Sequence, residues 1–502
     1  MRQRLLCLLS AALLLLSACG ADGSAGSGSQ SDTSAPALSQ QEPVTTPFTL
    51  AAYPNYSFHP ALAANRANLT LAPLLYEPLF QLDASFQAQP VLCQSYTASG
   101  DGLTWTFTLR SGVTFSDGTP LTGQTVADAL NTARGAESRY ASRLSGVTGV
   151  EASGENTVTI TLSRPNGNLP LLLDIPIALG TGDRPAGTGP YVFSQQGDSL
   201  SLTARSGWWQ DKSLPCTEIP LRAVSRSDDL IFAFSSGDVS LVDVDLMGTN
   251  AMGYSGSYET WDYATTDLIY LGFNTQSGLC RSAGVRTALT RGIDRDAVAQ
   301  TVYASHAVST ALPVHPASPL YDQTLAGVLS YAPEALVSQL EDLGVLGREL
   351  VLLVNRENTA KLSAAQLIAG QLESAGMEIT VNALDFEDYT AALAQGDFDL
   401  YLGEVVLTAD FDLTALLSSG GALNYGRWQD AQGDSLLSAF VQASGEARTA
   451  AARALFEYLN QQAPIAPVCF KNGSVLTQWG RLSGLSSVRG NVFAGLENWT
   501  IS

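Results

Sequence analysis

Apolar and polar residues alternate most regularly within residues 103–115. Trp105, Phe107 and Leu109 alternate there with threonines, which is the period of two expected of a strand with one buried face. The Ser-Gly and Asp-Gly pairs nearby are turn sequences, and Val126–Ala133 has helical spacing. This part of the chain therefore predicts strands joined by tight turns and followed by a helix.

Further along the chain, strand-like and helical patterns alternate. The pattern predicts, in order, a strand at 350–354, a helix at 363–375, a strand at 379–383, a helix at about 387–394 and a strand at 398–403. This βαβαβ order is typical of a lobe built on a parallel sheet. Another helix is predicted over Ala447–Gln462, which Pro464 follows. The fold class that we predict is α/β.

The first residues have the pattern of an export signal. Arg2 and Arg4 precede an apolar run over Leu5–Leu16, which has the length of a signal-peptide core and is short for a membrane span. The next segment, Leu-Ser-Ala-Cys, resembles the lipobox of bacterial lipoproteins, in which the cysteine is acylated. We therefore predict a lipoprotein signal peptide over 1–19 with lipidation of Cys19, or, alternatively, an ordinary cleaved signal. Residues 20–47 are rich in Gly, Ser, Ala, Gln and Thr and predict a flexible tether.

Composition excludes several function classes. The net charge is -21, and removing residues 1–19, which hold two arginines and no acids, makes it -23. Such an acidic protein repels nucleic acid and anionic lipid, so we predict no nucleic-acid partner and membrane attachment through the lipid anchor alone. The three histidines, His59, His306 and His315, form no close pair, which disfavours a histidine metal site. We predict no cofactor and no bound metal.

Cysteine usage leaves two interpretations open. Besides Cys7 and Cys19, the chain has four widely spaced cysteines without a C-x-x-C motif: Cys93, Cys216, Cys280 and Cys469. In an exported protein they could form disulfides, and in a large domain they could equally be isolated core thiols.

Several stretches resemble, in the same order, the motifs of one family. They are Leu75–Leu79 (LYEPL), residues 101–120 (DGLTWTFTLRSGVTFSDGTP), Gly187–Tyr191 (GTGPY), Phe273–Thr275, Val285–Leu289 and Gly292–Arg295. Together they resemble the peptide/nickel family of bacterial extracellular solute-binding proteins, the receptors of ABC importers. The resemblance extends from about residue 50 to the end of the chain. It departs from the family at Pro78, where a glycine is usual, and at 123–126, which replaces an A-x-D-V sequence.

The resemblance implies a two-lobed fold of the periplasmic-binding-protein type II class, with an extra domain inserted in the first lobe. Lobe I would comprise 48–76, 187–265 and 486–502. The inserted domain would comprise 77–186, and lobe II would comprise 266–485. The βαβαβ pattern lies within this second lobe.

In peptide-binding members of the family, an aspartate after a strand of the second lobe binds the α-amino group of the peptide. The resemblance places Asp410 at that position, within Leu407–Leu413. A buried ammonium needs an opposite charge, which supports this role. The alternative is that Asp410 caps a helix starting near Thr414. Glu404 would lie at the end of the strand at 398–403, where α/β sheets place their ligands, or is a solvated surface acid.

Weaker candidates for the binding site are an arginine and four aromatic residues. Arg66 could bind a carboxylate in the cleft, although a surface position is an equal alternative. Each aromatic residue has core packing as its alternative. The four are Tyr270, Phe386, Tyr425 and Trp428.

The function that we predict is that of a monomeric substrate-binding lipoprotein on the outer side of the bacterial cell membrane. It would capture short peptides and deliver them to ABC permease subunits that work with a cytoplasmic ATPase. A non-peptide solute, such as a nickel chelate, haem or an oligosaccharide, and a sensor or adhesin without transport are the alternatives. No nucleophile–base or paired-carboxylate motif is recognisable, so we predict that the protein is not an enzyme.

Overall fold

A computed structural model describes residues 47–197, 199–249 and 253–502. The predicted signal peptide, the lipidation site Cys19 and the tether up to residue 46 lie outside the described residues. Pro47–Ser502 is one unit. In the described part of the chain, no helix combines the length and the apolar character needed to cross a membrane.

The alternating segment forms the strand Thr104–Leu109 and buries the predicted face, with Trp105, Phe107 and Leu109 all below 5% exposure. This prediction is confirmed. The strand belongs to a four-stranded antiparallel sheet with the spatial order Cys93–Ala98, Thr104–Leu109, Thr157–Leu162 and Val147–Gly154. The helix Gly123–Ala133 packs on this sheet and begins at a capping box formed by Thr122 and Thr125.

The predicted βαβαβ unit is also confirmed. It consists of Glu349–Asn355, Thr359–Ser374, Glu378–Leu384, Phe386–Gln395 and Leu400–Val406. The first strand pairs in parallel with both of the others. The third strand begins and ends later than predicted. Its main-chain pairing with Asp267–Phe273 starts at Leu400 and continues as far as Val406. Glu404 therefore lies inside the strand and not at its end, which corrects the predicted position.

This unit is part of a seven-stranded sheet. Its strands are, in spatial order, Leu241–Val244, Ile465–Gln478, Tyr258–Phe273, Leu400–Val406, Glu349–Asn355 and Glu378–Leu384, and Ala307–Ser309 pairs with Ile465–Gln478. The two longest strands, Tyr258–Phe273 and Ile465–Gln478, run antiparallel and have register shifts in their pairing. The predicted boundary between the lobes at residue 265 falls inside one of them, and the division into lobes stays a prediction.

The remaining sheets are smaller. A second four-stranded sheet contains Leu50–Ala52, Glu218–Ala223, Ser199–Ala204 and Tyr191–Gln196. Two-stranded pairs are Phe80–Leu82 with Ala88–Pro90, Ala178–Leu179 with Ala186–Gly187, and Leu482–Ser483 with Thr500–Ile501. The other α-helices are Arg66–Thr70, Ala72–Leu75, Ser227–Ser235, Ala283–Arg291, Arg295–Ala297, Gln323–Ala326, Pro333–Asp342, Thr414–Leu417, Ala431–Gln442 and Gly445–Gln462.

Polar residues of the sequence motifs have structural roles. Arg286 is 3% exposed, and its guanidinium donates to the carbonyl oxygens of Gln462 and Ala463, where the helix Gly445–Gln462 ends. The amide of Asn274 donates to the carbonyls of Gly396 and Phe398. Both side chains satisfy buried carbonyl groups that would otherwise lack a donor.

The four described cysteines are free thiols. Cys93, Cys280 and Cys469 are buried, and Cys216 is half-buried. Cys280 and Cys469 belong to one core cluster, whereas Cys93 belongs to another and Cys216 packs against a third. Of the two interpretations left open by the sequence, disulfides and isolated core thiols, the structure supports the second.

Burial of His315 predicts a loss of stability in mild acid. Its ring packs between Phe86 and Phe470 and accepts a hydrogen bond from the Ala317 N–H, and burial lowers its pKa to about 4. The unfolded chain therefore binds a proton at His315 below about pH 6.5, where the folded protein does not, and the folded state loses stability as the pH falls through this window.

We expect His315→Asn to remove this dependence, because the asparagine Oδ1 can accept from Ala317 without titrating. At about pH 5 the protonation of His315 in the unfolded chain lowers the free energy of unfolding by about 2 kcal/mol. Urea unfolding of the wild type and the variant between about pH 5 and 7.5 measures it. Equal slopes of unfolding free energy against pH for the two proteins would contradict the prediction.

Candidate functional site

A cleft of about 990 Å³ is lined by residues from three parts of the chain. One wall comes from the helix Arg66–Thr70 and the residues around Asp243 and Tyr263. A second wall comes from residues 139–176 and from Arg489 to Val492. The third comes from the end of the strand Leu400–Val406 and the segment after it. The cleft is therefore formed by segments that are far apart in the sequence.

Asp410 lines this cleft on the segment that follows the strand Leu400–Val406, and it is 3% exposed. Its Oδ1 accepts hydrogen bonds from the Thr408 hydroxyl, at 2.5 Å, and from the Asp412 N–H. Its Oδ2 accepts a hydrogen bond from the Asn166 side-chain amide at 3.2 Å. Within the described ranges, no ion pair joins this carboxylate to a lysine or arginine. Neutral donors therefore make the hydrogen bonds to this carboxylate, while the buried guanidinium of Arg448 donates to the Asp410 main-chain carbonyl and interacts electrostatically with the side chain.

Asp412, and not Asp410, accepts a hydrogen bond from the first N–H of the helix that follows, although it lies one residue before the N-cap Leu413. Its Oδ1 accepts from the Thr414 N–H at 2.8 Å, at the start of the helix Thr414–Leu417, and its Oδ2 pairs with Arg164 at 3.0 Å. The interpretation of Asp410 as the helix cap is therefore wrong, because the residue two positions later holds the helix N-terminus.

The second wall carries guanidinium groups that no sequence motif indicates. The Asp174 carboxylate bridges Arg143, at 2.5 Å, and Arg489, at 3.0 Å, and all three residues line the cleft. Arg139 lines the same wall, and both it and Arg143 lie over the Tyr140 ring. Arg489 is far from the other residues in the sequence, so no local motif could have found the group.

Arg66, a predicted contact, lines the cleft as expected. Its guanidinium pairs with Asp243 at 3.3 Å, and half of its side chain stays exposed. The Asp243 carboxylate also accepts from the Tyr263 hydroxyl at 2.8 Å. Arg66 is thus partnered and also accessible from the cleft.

Glu404 is part of an ionic cluster beside the cleft and does not line the cleft itself. The ammonium of Lys471, 3% exposed, contacts carboxylates of Asp245 at 3.1 Å, Asp267 at 3.0 Å and Glu404 at 2.5 Å. Burial raises the pKa of Asp267 to about 6, although Lys471 opposes the shift. We name these four residues the Lys471 cluster. Lys361 adds a second ammonium, 3.8 Å from Glu404.

The four predicted aromatic contacts do not line this cleft. Tyr270 is 3% exposed and packs edge-on against Tyr401, and Trp428 is 5% exposed and packs near Tyr458. Tyr425 is half-buried against the same core, also beside Tyr401. Phe386 is 59% exposed at the start of the helix Phe386–Gln395. The structure thus gives three of them a packing role, which the sequence had left as the alternative.

Of the predicted residues, Asp410 and Arg66 therefore line the cleft. Asn166, Arg143 and Arg489, which were not predicted, line it as well. The roles of Asp410 and Arg66 as solute contacts stay predictions. In the described part of the chain, no group of three or more His, Cys, Asp and Glu side chains could hold a metal ion.

Comparison with known proteins identifies relatives of this chain. Residues 87–424 match the family model of the bacterial extracellular solute-binding proteins, family 5 Middle. The glutathione-binding protein GsiB of Escherichia coli (strain K12) is 25% identical over 334 residues, which cover 63% of this chain and 65% of that protein. The chain thus spans about 65% of the length of the curated relatives that it matches.

Solved structures resemble the whole described body. HbpA2 from Haemophilus parasuis has a TM-score of 0.75 at 20% identity, covering 90% of this chain and 99% of that chain. The oligopeptide-binding protein AppA from Bacillus subtilis, solved in complex with a nonapeptide, has a TM-score of 0.60 at 17% identity, covering 91% and 98%. These likenesses confirm the predicted two-lobed α/β fold of type II, and the extra inserted domain stays a prediction.

Proposed function

The chain belongs to the bacterial extracellular solute-binding proteins of family 5, and from this membership we propose that it is the substrate-binding protein of an ABC importer for short peptides. It captures the peptide outside the cell and passes it to membrane permease subunits without catalysing a reaction. The relatives support this proposal, since one is named for binding glutathione and another was solved with a nonapeptide.

The observation that carries the peptide proposal is the state of the Asp410 carboxylate. Its Oδ1 already accepts two hydrogen bonds, whereas its Oδ2 accepts one, from Asn166. A carboxylate oxygen can accept two hydrogen bonds, so Oδ2 has one acceptor position left. A peptide ammonium would supply the donor that Oδ2 lacks, and charge-assisted hydrogen bonds of this kind are the strong ones.

The second wall carries groups that suit the other end of the peptide. Two guanidiniums, of Arg143 and Arg489, share the single carboxylate of Asp174, which leaves an excess of positive charge at the cleft. Arginine binds carboxylates with paired donors in a fixed geometry. We propose that the solute is zwitterionic, with its amino group at Asp410 and a carboxylate toward Arg143 and Arg489.

Attachment and partners are part of the same proposal. Acylation of Cys19 would anchor the protein to the outer side of the cell membrane through the 20–47 tether, and the protein would act as a monomer. The permease and its ATPase would be separate subunits, and nucleic acid is no partner because of the acidic charge.

The proposal is tested with a peptide whose ends are blocked one at a time. We expect trialanine to bind in the micromolar range or tighter, and N-acetyl-trialanine and trialanine amide each to bind about tenfold or more weakly. Native mass spectrometry of the purified protein identifies what it carries, and isothermal titration calorimetry measures the three affinities. Equal affinities for the three peptides, or a protein that carries only a metal chelate or haem, would overturn the peptide proposal.

A further inference from the structure

The segment Arg164–Asn168 crosses the cleft between two separate sheets. It follows the strand Thr157–Leu162 of the four-stranded sheet and ends where the short helix Leu169–Leu172 begins. Its contacts are with residues 410–443, which pack against the seven-stranded sheet. The segment therefore joins two parts of the molecule whose cores are distinct.

Three hydrogen bonds connect this segment to the end of the helix Ala431–Gln442. The Gly167 N–H donates to the Val441 carbonyl at 2.9 Å, and the Asn168 side-chain amide donates to the Ala443 carbonyl at 2.9 Å and to the Val441 carbonyl at 3.5 Å. The last carbonyls of a helix lack donors within the helix, so these bonds satisfy groups that would otherwise depend on water.

Two further contacts reach the segment that carries the proposed amine site. The Arg164 guanidinium pairs with Asp412 at 3.0 Å, and the Asn166 amide donates to Asp410 Oδ2 at 3.2 Å. One short segment thus contacts both the helix end and the carboxylate that would receive the solute ammonium.

Gly167 permits this close approach. A Cβ atom at this position would lie 2.5 Å from the Gln442 carbonyl oxygen and 2.6 Å from the Ala443 carbonyl oxygen. Both obstacles are main chain, which cannot move aside as a flexible side chain can. The φ angle of Gly167 is not positive, so an alanine would be excluded by this contact alone and not by backbone strain.

We propose that Arg164–Asn168 is a clamp that holds the cleft closed over the solute. The proposal rests on the proposed function, in that closure serves solute capture. In the open form the Val441 and Ala443 carbonyls would be hydrated, and Asp410 would lack the Asn166 donor. The apparent affinity decreases when a smaller fraction of the molecules can close. Weakening the clamp therefore weakens the binding of any solute.

The test compares Gly167→Ala with Gly100→Ala. Gly100 does not line the cleft, has no atom within 4 Å of an added Cβ and no positive φ, so its alanine variant is a matched control. Small-angle scattering gives the radius of gyration of each ligand-free protein, and hydrogen exchange reports on the clamp segment and on residues 437–443. We expect Gly167→Ala to be more expanded and to exchange faster in both segments, and Gly100→Ala to match the wild type.

Binding of trialanine is the second readout, and we expect its Kd to rise about tenfold in Gly167→Ala and to change less than twofold in Gly100→Ala. Asn168→Ala, which loses the two hydrogen bonds of its side chain without a clash, should change each quantity in the same direction by a smaller amount. A compact Gly167→Ala protein with wild-type exchange would overturn the clamp. If trialanine bound none of the proteins while the scattering and exchange differences persisted, the solute proposal would fail and the clamp would stand.

Discussion

Asp410→Asn is expected to weaken trialanine binding by about 10- to 100-fold, because a charge-assisted hydrogen bond of about 1.5–3 kcal/mol is lost. The asparagine Oδ1 can still accept from Thr408, while its amide nitrogen would face the Asn166 amide and the solute ammonium, neither of which it can accept from. N-acetyl-trialanine, which has no ammonium, should lose less than threefold. Isothermal titration calorimetry with the two peptides measures the difference.

Asp412→Asn is the matched control for this prediction. It removes the same charge from the same wall, two residues away, and keeps an oxygen for the Thr414 N–H. Asp412→Asn also loses the Arg164 ion pair of the clamp, so if Asp410 alone binds the ammonium its loss of affinity should be equal for trialanine and N-acetyl-trialanine. A loss confined to trialanine in both variants would mean that the wall acts through its general negative potential and that Asp410 makes no direct contact.

Lys471→Met is expected to lower the free energy of unfolding by about 3–5 kcal/mol. Lys471 is 3% exposed and holds Asp245, Asp267 and Glu404 together, and without it only Glu404 of the three keeps an ammonium nearby in the described part of the chain, that of Lys361 at 3.8 Å. The expected loss is larger than that of a surface pair, since the ammonium is buried and the carboxylates around it are only partly accessible to water. Urea unfolding at neutral pH measures this loss.

The pH dependence of the stability loss and a second substitution distinguish the loss of the Lys471 charge from a packing defect. Because the pKa of Asp267 is already about 6 with Lys471 present, the carboxyl groups of the variant should take up protons in mild acid, and the loss should shrink toward about pH 5. Adding Asp267→Asn should likewise recover part of the stability at neutral pH. A loss that neither acid nor Asp267→Asn reduces would mean that Lys471 acts through its packing.

Local pattern was sufficient to predict the most regular elements of this fold. The alternation around Trp105 and Phe107 depends on neighbouring residues only, and so does the βαβαβ order of 349–406. The end of a strand depends on its partner, which explains the error at Glu404. Its strand continues because Ile269 pairs with Glu404 itself.

The cleft could be predicted only in part. Asp410 was found because its surroundings resemble a family motif, and Arg66 because of its spacing from one. Asp174, Arg143 and Arg489 come together through tertiary folding, and the contact of Asn166 with Asp410 joins positions far apart in the chain. For Tyr270 and Trp428, residue type alone could not distinguish a core position from a cleft wall, since aromatic side chains serve in both.

The separate burial of the described thiols has a practical consequence for chemical labelling. Burial raises the pKa of Cys93 to about 11 and that of Cys280 to about 12, and it raises the pKa of Cys216 and Cys469 as well. Alkylating reagents attack the thiolate, so these four side chains should react slowly while the protein is folded. A cysteine introduced on an exposed edge of the cleft would react faster than any of them. A fluorophore attached there would report opening and closing of the cleft without removal of the natural cysteines.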